Sequence, residues 1–456
     1  MNFYSARQSA TFEICETIPS PDDSDIQMSI AENAHNPKQG EARRLPRDRH
    51  PISRKLIDPD TLKVLYRLHR HGHKAYLVGG SVRDLLLERR PKDFDVGTDA
   101  SPNQVKKLFK NCFLVGRRFR LAHIRFAGGK VIEVATFRRK PKEDELPEDP
   151  AEHFGFRENV FGTPREDAFR RDFTINGLFY DISDFSVIDH VGGLEDLEAR
   201  RIRVIGDPAE RFTEDPVRML RALEFCARLD FTLDASVREG IYACAPIIAE
   251  AAPTRIREEL MELFRHGVGG RVLRDASATG LLEPLLAGYR GDERTFALLE
   301  ILDRNHRQGR PVEEPYVLAA LYLERFLRTC PPDEPMPVTE VVRRAGLILS
   351  PHCRYFSIAR GISHQARELL VGIFRLARGR RQRGEQRLLT HPMIPHALKL
   401  LADWSEVCGD YRSQVAAWRE LIDAAEKKPM PVDDKKPQRP RRRRRRKPRR
   451  TPPPKK

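Results

Sequence analysis

The sequence predicts an α+β protein: a head built on a mixed sheet with flanking helices, then an all-α neck and body, then a disordered basic tail. Three observations carry this. Between residues 49 and 205, short apolar runs bounded by glycine and proline alternate with helical patterns. From Asp215 to about residue 425, Leu and Ala recur at helical spacing, broken by Pro-rich loops such as 330–337 (CPPDEPMP). From Lys427 the chain is Pro, Lys and Arg with almost no apolar residues, too polar to bury a core. The expected divisions are a disordered extension at 1–48, the head at 49–205, a helical region at 206–426 and the tail at 427–456.

Taken in order, residues 1–48 mix Ser, Asn, Pro, Asp and Glu without periodicity and read as a mobile arm. A helix is expected over about 58–72, capped by Asp58, with Leu62, Leu65 and Leu68 at helical spacing before Gly72. Ala75-Tyr76-Leu77-Val78 reads as a short buried strand running into Gly79-Gly80, and a helix over Ser81–Leu87 follows at once. Asp93-Phe94-Asp95-Val96 reads as a second strand, and Val131–Phe137 as another after the Gly128-Gly129 turn. The stretch 140–153 is a polar, Pro-bearing loop, and strands mix with helices beyond it. No internal repeat of fixed period is visible.

Composition narrows the function classes. The chain has 456 residues and 40% hydrophobic content, enough for two or three domains with cores. Net charge is +16, but residues 427–456 hold sixteen Lys and Arg against two Asp, so the other residues carry about +2. A near-neutral globular protein with a strongly cationic tail points to a polyanionic partner. Seven cysteines (Cys15, Cys112, Cys226, Cys244, Cys330, Cys353, Cys408) are scattered and never spaced CxxC, which argues against a disulfide framework or zinc knuckle. No run approaches eighteen apolar residues, and the N-terminus lacks the apolar core of a signal peptide. A cytoplasmic protein without a membrane span is expected.

The most informative segment is 77–96, LVGGSVRDLLLERRPKDFDV. A strand ending in Gly79-Gly80 at a helix start lets backbone approach a phosphate. Arg83, one turn in, is expected to reach a triphosphate oxygen. Asp93 and Asp95, two apart on a strand, are expected to face the same side, and two such acids repel unless a cation lies between them. A divalent metal pair bridging phosphate oxygens resolves that repulsion. Either feature alone also describes a turn beside a solvated edge; the ordered set is far more specific. Glu133, among apolar residues on its strand, is either a third carboxylate, for metals or for deprotonating an attacking hydroxyl, or an edge-strand acid facing water. Arg170 to Asn176 (RRDFTIN) reads either as recognition of ribose and phosphates or as a salt-bridged helix start. In EDPVRMLR, residues 214–221, Asp215 and Pro216 open a helix. Arg218 and Arg221 share a face there, for a base edge and a phosphate or simply for water.

Together these elements resemble the class II nucleotidyltransferase superfamily of tRNA CCA-adding enzymes and bacterial poly(A) polymerases. Its GGxVRD, DxD, RRDFTxN and EDPxRxLR motifs occur here in order between 79 and 221. The resemblance spans about residues 54–265 and implies that the helical region divides into a neck at 206–265 and a body at 266–426. Within the superfamily, the segment Leu114 to His123 (LVGRRFRLAH), the HPISR stretch at 50–54 and the Arg-rich C-terminus look more like the bacterial poly(A) polymerase I subgroup. Residues 1–48 match nothing in that subgroup, and the body resembles it in texture only. No His-Asp dipeptide occurs, so the phosphohydrolase domain of some CCA-adding enzymes is not expected.

The resemblance implies a nucleotidyltransferase head in which Asp93 and Asp95 hold two Mg2+ ions. Asp172 falls where the family has a further functional acid, and Glu133 rests on the argument from its strand. Gly79, Gly80 and Arg83 would cradle the triphosphate, Arg171 the ribose or phosphates, and Asp215, Arg218 and Arg221 would choose the incoming base. The implied reaction is template-independent addition of AMP from ATP to single-stranded RNA 3′ ends, in a context of RNA-decay proteins, with the tail on phosphates. The alternatives are a CCA-adding enzyme using CTP and ATP on tRNA, and a catalytically silent RNA-binding subunit.

Overall fold

The structure is a computed structural model that describes residues 42–116, 121–145 and 160–426. The expectations for 1–41, for Arg117–Arg120, for most of the 140–153 loop and for the tail 427–456 lie outside the described residues. The chain forms two compact units, one ending at Arg290 and one beginning at Gly291.

The first unit opens with strand β1 (Arg43–Leu45) and helix α1 (Pro59–Arg70). Asp58 caps α1 as expected, its carboxylate accepting from the Asp60 and Thr61 N–H groups at 3.0 Å each. Val64, Leu65 and Leu68 are fully buried beneath it, each contributing about 1.5–3 kcal/mol relative to exposure. Then come β2 (Ala75–Val78), α2 (Gly80–Leu86), β3 (Asp95–Thr98), α3 (Pro102–Leu108), β4 (Cys112–Val115), β5 (Leu121–Arg125) and β6 (Val131–Thr136). Helix α4 (Pro164–Arg170), β7 (Leu178–Asp181) and β8 (Val187–Asp189) complete the head. The eight strands form one sheet in the order β1-β8-β7-β2-β3-β6-β5-β4. Only β3 and β6 are parallel neighbours; the other pairs are antiparallel. Tyr76, Val78, Phe137, Ala168, Phe179 and Ile188 build a core on one side of it, with the Tyr76 and Phe137 rings 5.9 Å apart.

Two expectations change here. The arm expected to be mobile through residue 48 is part of the fold from residue 42: Arg43–Leu45 pairs with Val187–Asp189, covering what is otherwise the open edge of β8. The strand expected at 93–96 starts at Asp95 and runs to Thr98. Its partner β2 offers four residues, and the ladder ends where Val78 meets Asp95.

The unit continues through α5 (Gly193–Glu198), β9 (Arg201–Ile202), α6 (Pro208–Glu214) and α7 (Val217–Leu229), then β10 (Thr232–Leu233), which pairs parallel with β9. Helices α8 (Ala235–Cys244), α9 (Pro253–Arg265), α10 (Gly269–Ala278) and α11 (Leu282–Leu285) follow. The α7 stripe Val217, Leu220 and Leu223 is buried as its spacing predicts. The division expected between residues 265 and 266 falls inside this unit. Gly269 abuts the Phe264 ring so closely that a Cβ there would lie 2.5 Å from it, joining α10 to α9.

The second unit is helical: α12 (Glu293–Arg307), α13 (Glu314–Thr329), α14 (Val338–Tyr355), α15 (Arg360–Ala377), α16 (Glu385–Leu389), α17 (Ile394–Cys408) and α18 (Arg412–Glu426). Helix α15 lies at its centre, against α13, α14, α17 and α18. Gly372 admits Ala397 of α17 at a distance a side chain would block, and the Trp418 indole donates to the Leu376 carbonyl at 2.9 Å. Among the described residues no helix is long and apolar enough to cross a membrane.

Candidate active site

The site begins where β2 runs into α2. Gly79 sits at φ +70° and ψ −133°, a conformation that side-chain-bearing residues rarely adopt. A Cβ there would stand 2.8 Å from the Arg171 Nη1, so the turn and the RRDFTIN segment meet at this glycine. Gly80 follows, and a Cβ on it would touch the Arg83 guanidinium at 3.4 Å.

Arg83 is placed differently from expectation. It is buried, with its guanidinium committed to Asp84 at 2.7 Å and to the Asn176 Oδ1 at 2.7 Å. Burial lowers its pKa, against the Asp84 charge. It clamps α2 to the RRDFTIN turn, where the sequence reading extends it to a phosphate.

The two acids divide. Asp93 lies exposed just before β3, and Asp95 is the first residue of the strand, keeping solvent contact. The protein around Asp95 nevertheless desolvates its carboxyl, and Glu133 and Asp93 repel its charge, so the group is pushed up to about 6 against the opposing pull of Arg171. Glu133 stands on β6, the parallel neighbour of β3, where Val96 faces Val134. Alternation therefore turns Asp95 and Glu133 to the same open side, above the buried Val96 and Val134. Glu133 is neither buried nor on an edge strand: its side chain is 49% exposed and lies 3.3 Å from the His123 Nε2 across the ladder.

Asn176 is the hub of the neighbouring network. Its amide accepts from Arg83 and donates to the Asp172 Oδ1 at 3.2 Å, while its carbonyl accepts from the Arg171 Nη1 at 3.2 Å. Asp172 also accepts from the Phe173 N–H at 2.8 Å and pairs with the Arg221 guanidinium at 2.7 Å. Burial alone would raise the Asp172 carboxyl; Arg221, then Asn176 and the Phe173 N–H, more than offset it and hold the group below the usual carboxylate range. The same pairing raises the Arg221 pKa. Arg171 is held by the buried Asp167 at 2.9 Å and lies over the Phe179 ring at 5.3 Å.

On the neck side, Arg218 donates to the Glu214 Oε2 at 2.9 Å and to the Arg211 carbonyl at 2.8 Å. Burial would raise the Glu214 carboxyl, but Lys140, Arg218 and Arg211 draw it down to about 2. Asp215 accepts from the Val217 N–H at 3.3 Å, which fixes the start of α7, and takes Arg255 at 2.7 Å. The sequence reading missed the supports of this site. Arg211, buried, donates to the Arg170 and Arg171 carbonyls at 2.9 and 2.5 Å, tying α6 to the RRD corner. Phe225 lies under the guanidinium groups of Arg83, Arg221 and Arg228, 5.0–5.9 Å from its ring centre. Asn176 lies inside the RRDFTIN motif, but spacing does not reveal that three partners converge on it.

The arrangement joins a side-chain-free turn, a patch of repelling carboxylates and an arginine-lined wall, which suits a phosphate-bearing substrate and divalent cations. Residues 75–203 match the family described as Poly A polymerase head domain, and residues 230–290 match the probable RNA and SrmB-binding site of polymerase A. Poly(A) polymerase I of Salmonella typhi is 38% identical over 383 residues, 78% of this chain and 80% of its own length. The chain belongs to the poly(A) polymerase family. The CCA-adding enzyme of Bacillus pumilus is 37% identical, over only 49% of this chain and 54% of its own. The crystal structure of the Bacillus stearothermophilus CCA-adding enzyme in complex with CTP matches 81% of this chain and 82% of its own, with a TM-score of 0.56 and 25% identity. The fold is therefore shared across both activities, while the longer sequence match is to the poly(A) polymerase. In the LVGRRFRLAH segment that pointed the same way, residues 117–120 lie outside the described residues.

Proposed function

We propose that this protein adds AMP from ATP, without a template, to RNA 3′ ends with release of pyrophosphate, and so promotes RNA processing and decay. The observation that carries the reading is the nearness of Asp95 to Glu133 and Asp93, whose charges act on it, at the end of the ladder where Val78, one residue before Gly79, meets Asp95, in a chain matched along most of its length by poly(A) polymerase I relatives. The donor set fits Mg2+, a hard cation commonly held by one or two carboxylates, with substrate phosphates and water as its other ligands. Asp93 and Asp95 would hold two such ions; among the described residues no preformed group of three ligands encloses one. When bound, the ions supply activation of the primer's terminal hydroxyl and charge neutralisation at the leaving pyrophosphate.

The chain's own residues do the rest. Gly79 and Gly80 leave backbone open to the triphosphate, and Arg171 borders that opening. Glu133 is available to take the hydroxyl proton or to share a metal. Asp172 orients Arg221, which keeps about a third of its side chain in water and is free to meet the incoming base alongside Arg218 and Asp215. Arg83 acts by fixing Asn176. The six described cysteines form no disulfide, which supports a reducing, cytoplasmic setting. The family description for residues 230–290 supports RNA and a protein partner; RNA-decay proteins as partners are part of the proposal. Asp95→Asn tests the assignment: incorporation of labelled AMP into an oligoribonucleotide should fall at least a hundredfold, with wild type releasing one pyrophosphate per AMP added. Near-normal incorporation by the variant would remove Asp95 from the mechanism.

A further inference from the structure

One row of cross-strand neighbours runs outward from the acids. Asp95 precedes the Val96–Val134 pair, Glu133 faces His123, and His123 faces Phe113 on β4, the edge of the sheet. The buried partners Cys112, Ala122, Ile124 and Val134 lie on the opposite side, so this row occupies the open face. Phe113 is 49% exposed, and the Arg125 guanidinium sits 4.6 Å from its ring centre. Val115, two residues further along β4, is 44% exposed, and Val131, which faces Arg125 from β6, is 38% exposed. A half-exposed aromatic and an exposed valine on an edge strand are a hazard that proteins ordinarily bury or charge, unless the patch binds something.

We propose that this face is a platform for the single-stranded 3′ region of the RNA primer, with a base stacked on Phe113 and its phosphate on Arg125. The inference rests on the reading of the protein as an RNA-extending enzyme and adds where its primer lies. Charge order supports RNA over a protein partner. An aromatic flanked by a cation suits bases and phosphates presented on a sheet, and the row ends on the carboxylates where a 3′-hydroxyl must arrive. Three strand spacings, about 14 Å, separate Phe113 from Asp95, so Phe113 meets the primer upstream of its reacting end. His123 anchors Glu133 between the two.

The test measures RNA affinity by fluorescence anisotropy and KM for RNA and for ATP in extension assays, on the full chain. Phe113→Ala should weaken RNA binding and raise KM for RNA about tenfold, leaving KM for ATP and the melting temperature unchanged. Phe113→Trp should restore RNA affinity. Arg125→Gln should flatten the salt dependence of binding by about 0.7 in logarithmic slope. Wild-type RNA affinity in Phe113→Ala, or a loss that tracks a lowered melting temperature, would overturn the platform. A wild-type protein that fails to extend RNA with ATP would instead overturn the functional reading on which it rests.

Discussion

Asp95 and Asp172 are two carboxylates driven in opposite directions by their neighbours. Asp95 is raised to about 6 by desolvation and by the charges of Glu133 and Asp93, so in the metal-free protein its ionisation opposes folding. The stabilisation from its protonated form is present below the unfolded carboxylate pKa and disappears as pH rises through about 6. Asp95→Asn should therefore stabilise the metal-free protein at pH 8, by about 1 kcal/mol once screening at this exposed site is allowed for, while abolishing incorporation. Thermal melts with a chelator, beside activity assays, check both halves. Asp172 is the reverse case. Its lowered pKa means that its pairing with Arg221 stabilises the fold at neutral pH and is lost as pH falls below the unfolded value near 4. Asp172→Asn should cost about 2 kcal/mol at pH 7, less than a fully buried pair because Arg221 is partly solvated. The difference from wild type in urea titrations should shrink toward pH 3.

At the scale of elements, the site depends on how turns and helix starts are tied together. Gly79→Ala would force a side chain into a backbone conformation suited to glycine, against Arg171, whose guanidinium is already held by Asp167 and Asn176. A loss of about 2–3 kcal/mol in urea unfolding, with reduced incorporation, is expected. Arg211→Met keeps the bulk but strips two donors from the Arg170 and Arg171 carbonyls. A loss of about 1–3 kcal/mol is expected, together with a higher KM for ATP, because the RRD corner loosens. These ties show where sequence reading stops. Helix α1, strand β2 and the α7 stripe are legible because capping and periodicity are local properties. Arg83 reads as a phosphate ligand because its position one turn into α2 is local too, whereas its partner Asn176 lies far along the chain. Glu133 stands between two roles in the sequence because nothing local says that β6 pairs with β3. Arg211 and Phe225 give no signal there, since their value lies in interactions made only after folding.

For the molecule as a whole, the charge is concentrated where the sequence shows it: sixteen Lys and Arg against two Asp in residues 427–456. Deleting that segment should weaken RNA binding and reduce its salt slope by roughly 0.7 for each phosphate the protein no longer neutralises, while extension of short primers survives; an unchanged slope would contradict a phosphate-binding tail. The fold of the head and neck and most of the candidate site are readable from ordered motifs. The β1 strand and the break at residue 290 are not, because both follow from long-range packing. On a fold shared with CCA-adding enzymes, what distinguishes this protein is its choice of nucleotide and primer. The most direct test of that choice incubates the protein with Mg2+ and either ATP or CTP, on a labelled generic RNA and on a tRNA lacking its 3′ end. Long, heterogeneous ladders on the generic RNA with ATP alone are expected. Addition confined to the tRNA, stopping after C, C and A, would contradict the account.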